Sequence, residues 1–144
     1  MKKLLSISAV LLLSLVLVSC STFKKGADKK SNLSLDDSSW ELQTITNFEV
    51  EETRQPITLN FAEESRYGGH SGCNNYGGTF EISGKSILAF SPSIATKMAC
   101  DIGMDTESRY LQMLSEVDGY HLDTRTLNLK QGDEVIATFV KSKN

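Results

Sequence analysis

Residues 71–80, SGCNNYGGTF, lie between two segments whose apolar residues alternate as in β-strands. The stretch combines Cys73 with two asparagines and three glycines, a mixture that is unusual for a simple turn. Glycine reaches backbone conformations closed to other residues, which predicts such conformations at Gly72 and at Gly77-Gly78. Asparagine bonds nearby backbone groups and tolerates left-handed geometry, so we expect Asn74 to lock the chain beside Cys73.

Two aromatic residues in the same stretch, Tyr76 and Phe80, supply apolar anchors. Together with Gly72, Asn74 and Gly78, they favour a structural pin, meaning a tightly packed turn that fastens two segments of the fold to each other. The stretch therefore indicates where two parts of a β-sheet are fastened together.

Alternation with a period of two runs through most of the chain and predicts half-buried strands. The runs are Trp40–Thr44, Ile57–Phe61, Phe80–Ile82, Ile87–Phe90, Ile94–Cys100, Tyr120–Leu122, Leu127–Leu129 and Val135–Phe139. The turn residues that bound them are Gly68-Gly69, Gly77-Gly78, Ser83-Gly84 and Gly132-Asp133. About eight short strands at this spacing predict a mainly β fold, an antiparallel sandwich or barrel.

One segment, residues 105–117, has helical spacing instead. Its apolar residues are Tyr110, Leu111, Met113, Leu114 and Val117, and the opposite, solvent-facing side is predicted to carry Glu107, Arg109, Gln112 and Glu116. Asp105 or Thr106 is expected to cap the first turn. Gly119 is expected to end the helix in the left-handed conformation.

Cys73 and Cys100 are the only cysteines after Cys20. In an oxidising compartment they are candidates for a disulfide, with two nearby reduced thiols as the alternative. A bond between them would close a loop of about 28 residues and contribute roughly 3.5 kcal/mol in the chain-entropy account.

Three chemical alternatives to a pin find little support in the sequence. A metal site could use His70, Cys73, Cys100 and His121, but structural zinc usually takes its ligands in close pairs, and Cys100 has no such partner. A serine elbow needs glycine two places after Ser71, where Cys73 stands, and no local base accompanies Cys73 as a thiol nucleophile. The glycines do not open a helix, which argues against a phosphate loop. We therefore predict no catalytic residue, no metal and no cofactor.

The sequence resembles the META (HslJ-like) domain family in two motifs and the helix that follows them. The motifs are Gly72–Gly78 and Thr96-Lys97-Met98-Ala99-Cys100, and the helix carries Glu107 and Tyr110. The resemblance runs from Ser39 to about Val140 and marks Met98 as a motif residue. It implies a small antiparallel β-barrel-like fold with one helix, common in bacterial envelope lipoproteins and without an agreed activity. Asn75 stands where the family often has arginine, which matters if that side chain contacts a partner.

The N-terminus has the pattern of an export signal: Lys2 and Lys3, then an apolar run, then a cysteine. Leu17-Val18-Ser19-Cys20 resembles the lipobox of bacterial lipoproteins, in which the cysteine carries the lipids. We therefore predict a signal peptide over residues 1–19, a lipidated Cys20 with a flexible tether over 20–38, and one domain over 39–144. The residue after Cys20 is Ser21, which by the same resemblance favours the outer membrane in a host with two membranes.

The net charge of −3 argues against nucleic acid as a partner, because that binding depends on clustered cations. The predicted anchor, the long tether and the lack of a catalytic motif favour a non-enzymatic envelope lipoprotein that binds another envelope protein, with a role under stress. The alternative is a module that holds a lipid or another hydrophobic ligand inside a small barrel.

Overall fold

The computed structural model describes residues 34–143. The predicted signal peptide, Cys20 and most of the predicted tether lie outside the described residues. The strands are β1 (Ser38–Ile45), β2 (Thr58–Ala62), β3 (Arg66–His70), β4 (Asn75–Ser83), β5 (Ile87–Phe90), β6 (Ile94–Ala95), β7 (Gly119–Leu122), β8 (Thr126–Gln131) and β9 (Glu134–Lys141). The helix α1 spans Met104–Glu116 and lies between β6 and β7 in the chain.

Eight of the nine described strands close into an antiparallel barrel. The pairing order is β3-β2-β1-β9-β8-β7-β5-β4, and β4 pairs again with β3 to complete the circle. The short β6 is the extra strand and pairs with β4. The predicted mainly β fold with one helix is confirmed, and of the two architectures left open by the residue pattern, the barrel is the one observed.

Two glycine pairs that were predicted to be turns lie inside strands. Gly68-Gly69 belongs to β3, and Gly77-Gly78 belongs to β4. Gly68 pairs with Gly77 across the two strands, and a Cβ on Gly68 would lie 2.8 Å from the Tyr76 carbonyl oxygen. The glycines therefore permit close approach of two paired strands, and the prediction of turns there was wrong. The glycine-only conformations predicted at Gly77-Gly78 were also wrong, because neither residue has a positive φ.

The segment before the helix is less regular than predicted. Only Ile94–Ala95 of the predicted strand 94–100 forms a strand. The helix starts one residue earlier than predicted, and its N-cap is Gly103 with φ 77°, so neither Asp105 nor Thr106 caps it. Gly119 is the first residue of β7 and does not end the helix. The turn predictions at Gly84 and Gly132 are confirmed by φ values of 63° and 58°.

The core starts earlier in the chain than the predicted domain boundary at residue 39. Leu35 is buried and packs in the main apolar cluster with Trp40, and β1 begins at Ser38. The end of the segment assigned to the tether is therefore part of the folded domain.

Aromatic side chains span the inside of the barrel. Tyr110 of α1 has its ring 5.4 Å from Tyr76 of β4 and 6.4 Å from Phe139 of β9, measured between centroids. These two strands lie four places apart in a circle of eight, on opposite walls. The helix therefore inserts Tyr110 between the walls. Within residues 34–143, no helix is long and apolar enough to cross a membrane.

Candidate functional site

Cys73 and Cys100 form a disulfide, with their Cα atoms 6.0 Å apart. Cys73 lies just before β4, and Cys100 lies in the segment between β6 and α1. The predicted pin between the two motifs is confirmed. Both sulfurs are taken up in this bond, so neither is a free thiol in this structure.

Glu107 of α1 is buried directly behind the disulfide-bonded turn, although it was predicted to face solvent. Its Oε2 accepts hydrogen bonds from the Ser71 hydroxyl at 2.6 Å, the Asn74 N–H at 2.8 Å and the Cys73 N–H at 3.3 Å. Its Oε1 accepts one from Asn74 Nδ2 at 2.7 Å. Four donors therefore surround the carboxylate and compensate its removal from water.

These donors also set the pKa of Glu107. Burial by itself raises the pKa, because it disfavours the charged form. The hydrogen bonds from Ser71, from the Asn74 side chain and from the backbone of Asn74 and Cys73 favour the charged form and prevail, so the pKa is lowered. Glu107 also lies in the first turns of α1, where the helix dipole favours a negative charge.

Asn74 connects the first motif to the second. Its Oδ1 accepts hydrogen bonds from the Met98 N–H and the Thr96 hydroxyl, both at 2.7 Å. Its Nδ2 donates to the Met98 carbonyl at 3.1 Å as well as to Glu107. We expected Asn74 to lock local backbone, and instead it bonds the segment about 24 residues further on. Met98 takes part through its backbone and leaves its side chain exposed.

Two glycines bring the backbone close to Thr53. Gly72, in the first motif, has φ 101°, and a Cβ there would lie 2.7 Å from Thr53 Cγ2. At Gly103 the corresponding distance is 2.8 Å. The positive φ predicted for Gly72 is confirmed, and any side chain at either position would displace Thr53.

Tyr76 and Gly78, the other two predicted motif residues, lie in β4. The Tyr76 hydroxyl donates to the Thr58 carbonyl at 2.8 Å, so the neighbouring Tyr110 hydroxyl donates to Tyr76. Burial raises the pKa of both phenols. A Cβ on Gly78 would lie 2.8 Å from the ring of Tyr67. Both residues thus serve packing.

The residues weighed as metal ligands or nucleophiles are engaged elsewhere or lie apart. His70 Nδ1 accepts the Gly72 N–H at 3.1 Å, and His121 lines a different cleft. The hydroxyl of Ser71 is fully buried and donates to Glu107. In the part of the chain that the structure describes, no group of three potential metal ligands occurs.

Sequence reasoning missed Ser71 and Glu107 as members of this network. The signal for Glu107 was present, because residues 107, 110 and 114 lie at helical spacing on one face. Tyr110 and Leu114 are both buried, and the carboxylate shares their face. Its charge led to the prediction that it would be exposed.

The disulfide and the hydrogen bonds of Asn74 and Glu107 hold the backbone beneath an exposed apolar surface between β6 and the start of α1. Met98 and Ile102 of this segment are exposed, as is Met104, the first residue of α1. Asp101 forms an ion pair with Arg54 at 2.8 Å. Two surface clefts lie along this segment. One is lined by residues 101–105 together with Glu51 and Glu52, and the other lies beside the disulfide.

The fold and the site together define a class: a closed antiparallel β-barrel with one helix, whose two motifs are joined by a disulfide and a buried glutamate. The sequence profile of the META domain family matches residues 33–144, and the chain therefore belongs to the META domain family. No curated protein sequence matches it.

Three solved structures are similar to this fold. An NMR structure of a protein from Burkholderia xenovorans aligns with a TM-score of 0.61 and 27% identity, over 76% of this chain and 85% of that one. A second NMR structure aligns with a TM-score of 0.55 and 20% identity, over 72% and 88%. A crystal structure of a DUF4847 family protein from Bacteroides vulgatus ATCC 8482 aligns with a TM-score of 0.52 and 13% identity, over 75% of this chain and 94% of that one. The last two similarities concern the fold alone.

Proposed function

We propose that this META domain protein is a lipid-anchored lipoprotein of the bacterial envelope that binds another envelope protein and catalyses no reaction. The observation that carries the proposal is the surface between β6 and α1. Its apolar side chains are exposed, yet its backbone is fastened by the disulfide, by Asn74 and by the buried Glu107. A surface that is already ordered loses little conformational entropy when a partner binds.

The internal arrangement supports binding rather than catalysis. The candidate nucleophiles are held away from solvent: the Ser71 hydroxyl is buried against Glu107, and Cys73 is bonded to Cys100. The buried carboxylate of Glu107 accepts four hydrogen bonds and does not line either of the two clefts described above. Its role is to fasten the surrounding backbone.

The inside of the barrel gives less support to the second candidate, a module that holds a hydrophobic ligand there. Tyr110 reaches between opposite walls, and Leu59, Leu127, Leu129 and Phe139 are fully buried in one continuous apolar cluster. Side chains therefore occupy the volume that such a ligand would need, as is usual in small barrels.

Site-specific photo-crosslinking in growing cells tests the proposal. A photoreactive residue at Met98 should give a discrete adduct with one envelope protein. Ile87 on β5 provides a matched control, because it is also apolar and its exposed fraction is 55%, against 54% for Met98. The proposal fails if Met98 gives no adduct under normal and stress growth, or if both positions give the same adducts.

A further inference from the structure

The cleft beside the disulfide lies where the two motifs meet. Its volume is about 370 Å³, and it is lined by Arg54, Gln55, His70, Cys73, Asn75, Met98, Ala99 and Cys100. Ligand pockets usually measure about 300–1,000 Å³, so this cleft is at the small end of the range. It has room for the end of a peptide.

The charge of the cleft differs from that of the chain. The chain carries a net charge of −3, yet none of the described lining residues is an aspartate or glutamate. Arg54 provides a positive charge. Its Nε and one terminal nitrogen bind a single oxygen of Asp101, at 2.9 and 2.8 Å, which leaves further N–H groups of the guanidinium for another acceptor.

Three other polar side chains in the cleft have donors to offer. His70 accepts the Gly72 N–H on Nδ1, so its Nε2 carries a hydrogen. The side-chain amides of Gln55 and Asn75 have no hydrogen-bond partner among residues 34–143. The cleft thus combines several hydrogen-bond donors with an arginine, and the acid that pairs with this arginine, Asp101, is not one of the lining residues.

The remaining lining is apolar, and its backbone is fastened at Met98. Met98, Ala99 and the disulfide form it, and Met98 is held by both backbone bonds to Asn74. Donors and a cation beside a small apolar surface match a carboxylate next to an apolar side chain. A cleft this small accommodates a chain end better than a segment that continues in both directions.

We infer that the cleft lined by Arg54, His70, Asn75 and Met98 binds the C-terminal carboxylate of a partner polypeptide whose last residue is apolar. Arg54 supplies the charge that recognises the carboxylate. Met98 and the disulfide contact the apolar side chain. This inference rests on the proposed function and specifies the chemistry of its partner.

The test uses the full-length chain in detergent micelles and the peptide acetyl-Ala-Ala-Leu, either with a free carboxylate or as the amide. Amide chemical shifts in a titration report binding. The free acid should shift the signals of Asn75, Met98 and Cys100, and the amide should not. A third peptide, amidated but with an internal glutamate, separates a terminal from a side-chain carboxylate, and we expect it to bind more weakly than the free acid.

Two substitutions separate the role of Arg54 in binding from its ion pair. Arg54→Gln should weaken binding of the free acid about tenfold, the usual loss of one charge-assisted hydrogen bond. Asp101→Asn removes the same ion pair but leaves Arg54 in place and free of its acidic partner. Binding of the free acid should therefore be unchanged or tighter. Arg125→Gln, at an exposed arginine that does not line the cleft, should have no effect.

Three results would overturn the inference: equal binding of the acid and the amide, no shift at millimolar peptide, or equal losses in Arg54→Gln and Asp101→Asn. Any of these leaves the proposed function intact if Met98 still gives its specific adduct in cells. Conversely, peptide binding without an adduct would count against the proposed function alone.

Discussion

The carboxylate of Glu107 and the side chain of Asn74 form the link between the helix and the two motifs. Asn74 donates twice to Glu107, once from its backbone and once from Nδ2, and its Oδ1 holds the Met98 N–H at 2.7 Å. A residue on the helix thus fixes one motif directly and the other through a single asparagine. The disulfide joins the same two segments a second time.

Replacing the carboxylate should cost considerable stability. Glu107→Gln keeps the size but places an N–H₂ group among four donors, so at least one buried donor loses its acceptor. We expect the free energy of unfolding to fall by about 2–4 kcal/mol in urea titrations. Glu134→Gln, at an exposed position on β9, is the control and should change it by less than about 0.5 kcal/mol. Similar small effects at both positions would contradict the assigned role.

The lowered pKa of Glu107 predicts how stability depends on pH. Its pKa in the unfolded chain is near the ordinary value of about 4.3, and in the folded chain it is lower. The stabilisation it provides is therefore complete above about pH 4.3 and is lost as the pH falls through the folded-state value. Between pH 7 and pH 3, the free energy of unfolding should fall more steeply with decreasing pH in the wild type than in Glu107→Gln. If the free energy of unfolding falls equally with pH in both proteins, ionisation of Glu107 does not stabilise the fold.

Removing the disulfide should destabilise the domain without changing its fold. Cys73 and Cys100 are 27 residues apart, and a Cys73→Ser, Cys100→Ser double variant should lose about 2–4 kcal/mol. Far-ultraviolet circular dichroism should stay unchanged, because Asn74 and Glu107 still hold the two segments. An unchanged urea midpoint for the double variant would be evidence against a stabilising crosslink.

The lipid anchor remains a prediction from the sequence. Cys20→Ala should abolish labelling with a fatty-acid analogue and move the protein out of the membrane fraction, because the acyl chains supply the membrane affinity. The matched control is Ser21→Ala, which leaves the cysteine in place and should label normally. Persistent labelling of Cys20→Ala would rule out the lipobox.

Much of the fold could be predicted from the sequence, because local patterns determine it. Alternation identified most strands, and helical spacing placed Tyr110 and Leu114 on the buried face. The presence of only two cysteines after Cys20 made the disulfide a candidate, with two reduced thiols as the alternative. These features depend on residues close in sequence or on a count.

The missed features depend on contacts between distant segments. Gly68 and Gly77 were predicted to lie in turns, because nothing in the local sequence shows that they face each other across two strands. Glu107 was predicted to face solvent, because its hydrogen-bond donors come from residues 71–74, more than 30 positions earlier in the chain. The acid is tolerated in the core only because that turn supplies its partners.

The central claim is that Asn74 and Glu107 hold the exposed segment around Met98 in place, and hydrogen exchange tests it most directly. In Asn74→Ala, the Met98 amide loses its acceptor, so its exchange should accelerate at least tenfold, whereas Leu129 and Phe139 in the barrel should keep most of their protection. If Met98 exchanges at the wild-type rate in this variant, or if Met98 and the barrel lose protection to the same extent, the claim is wrong.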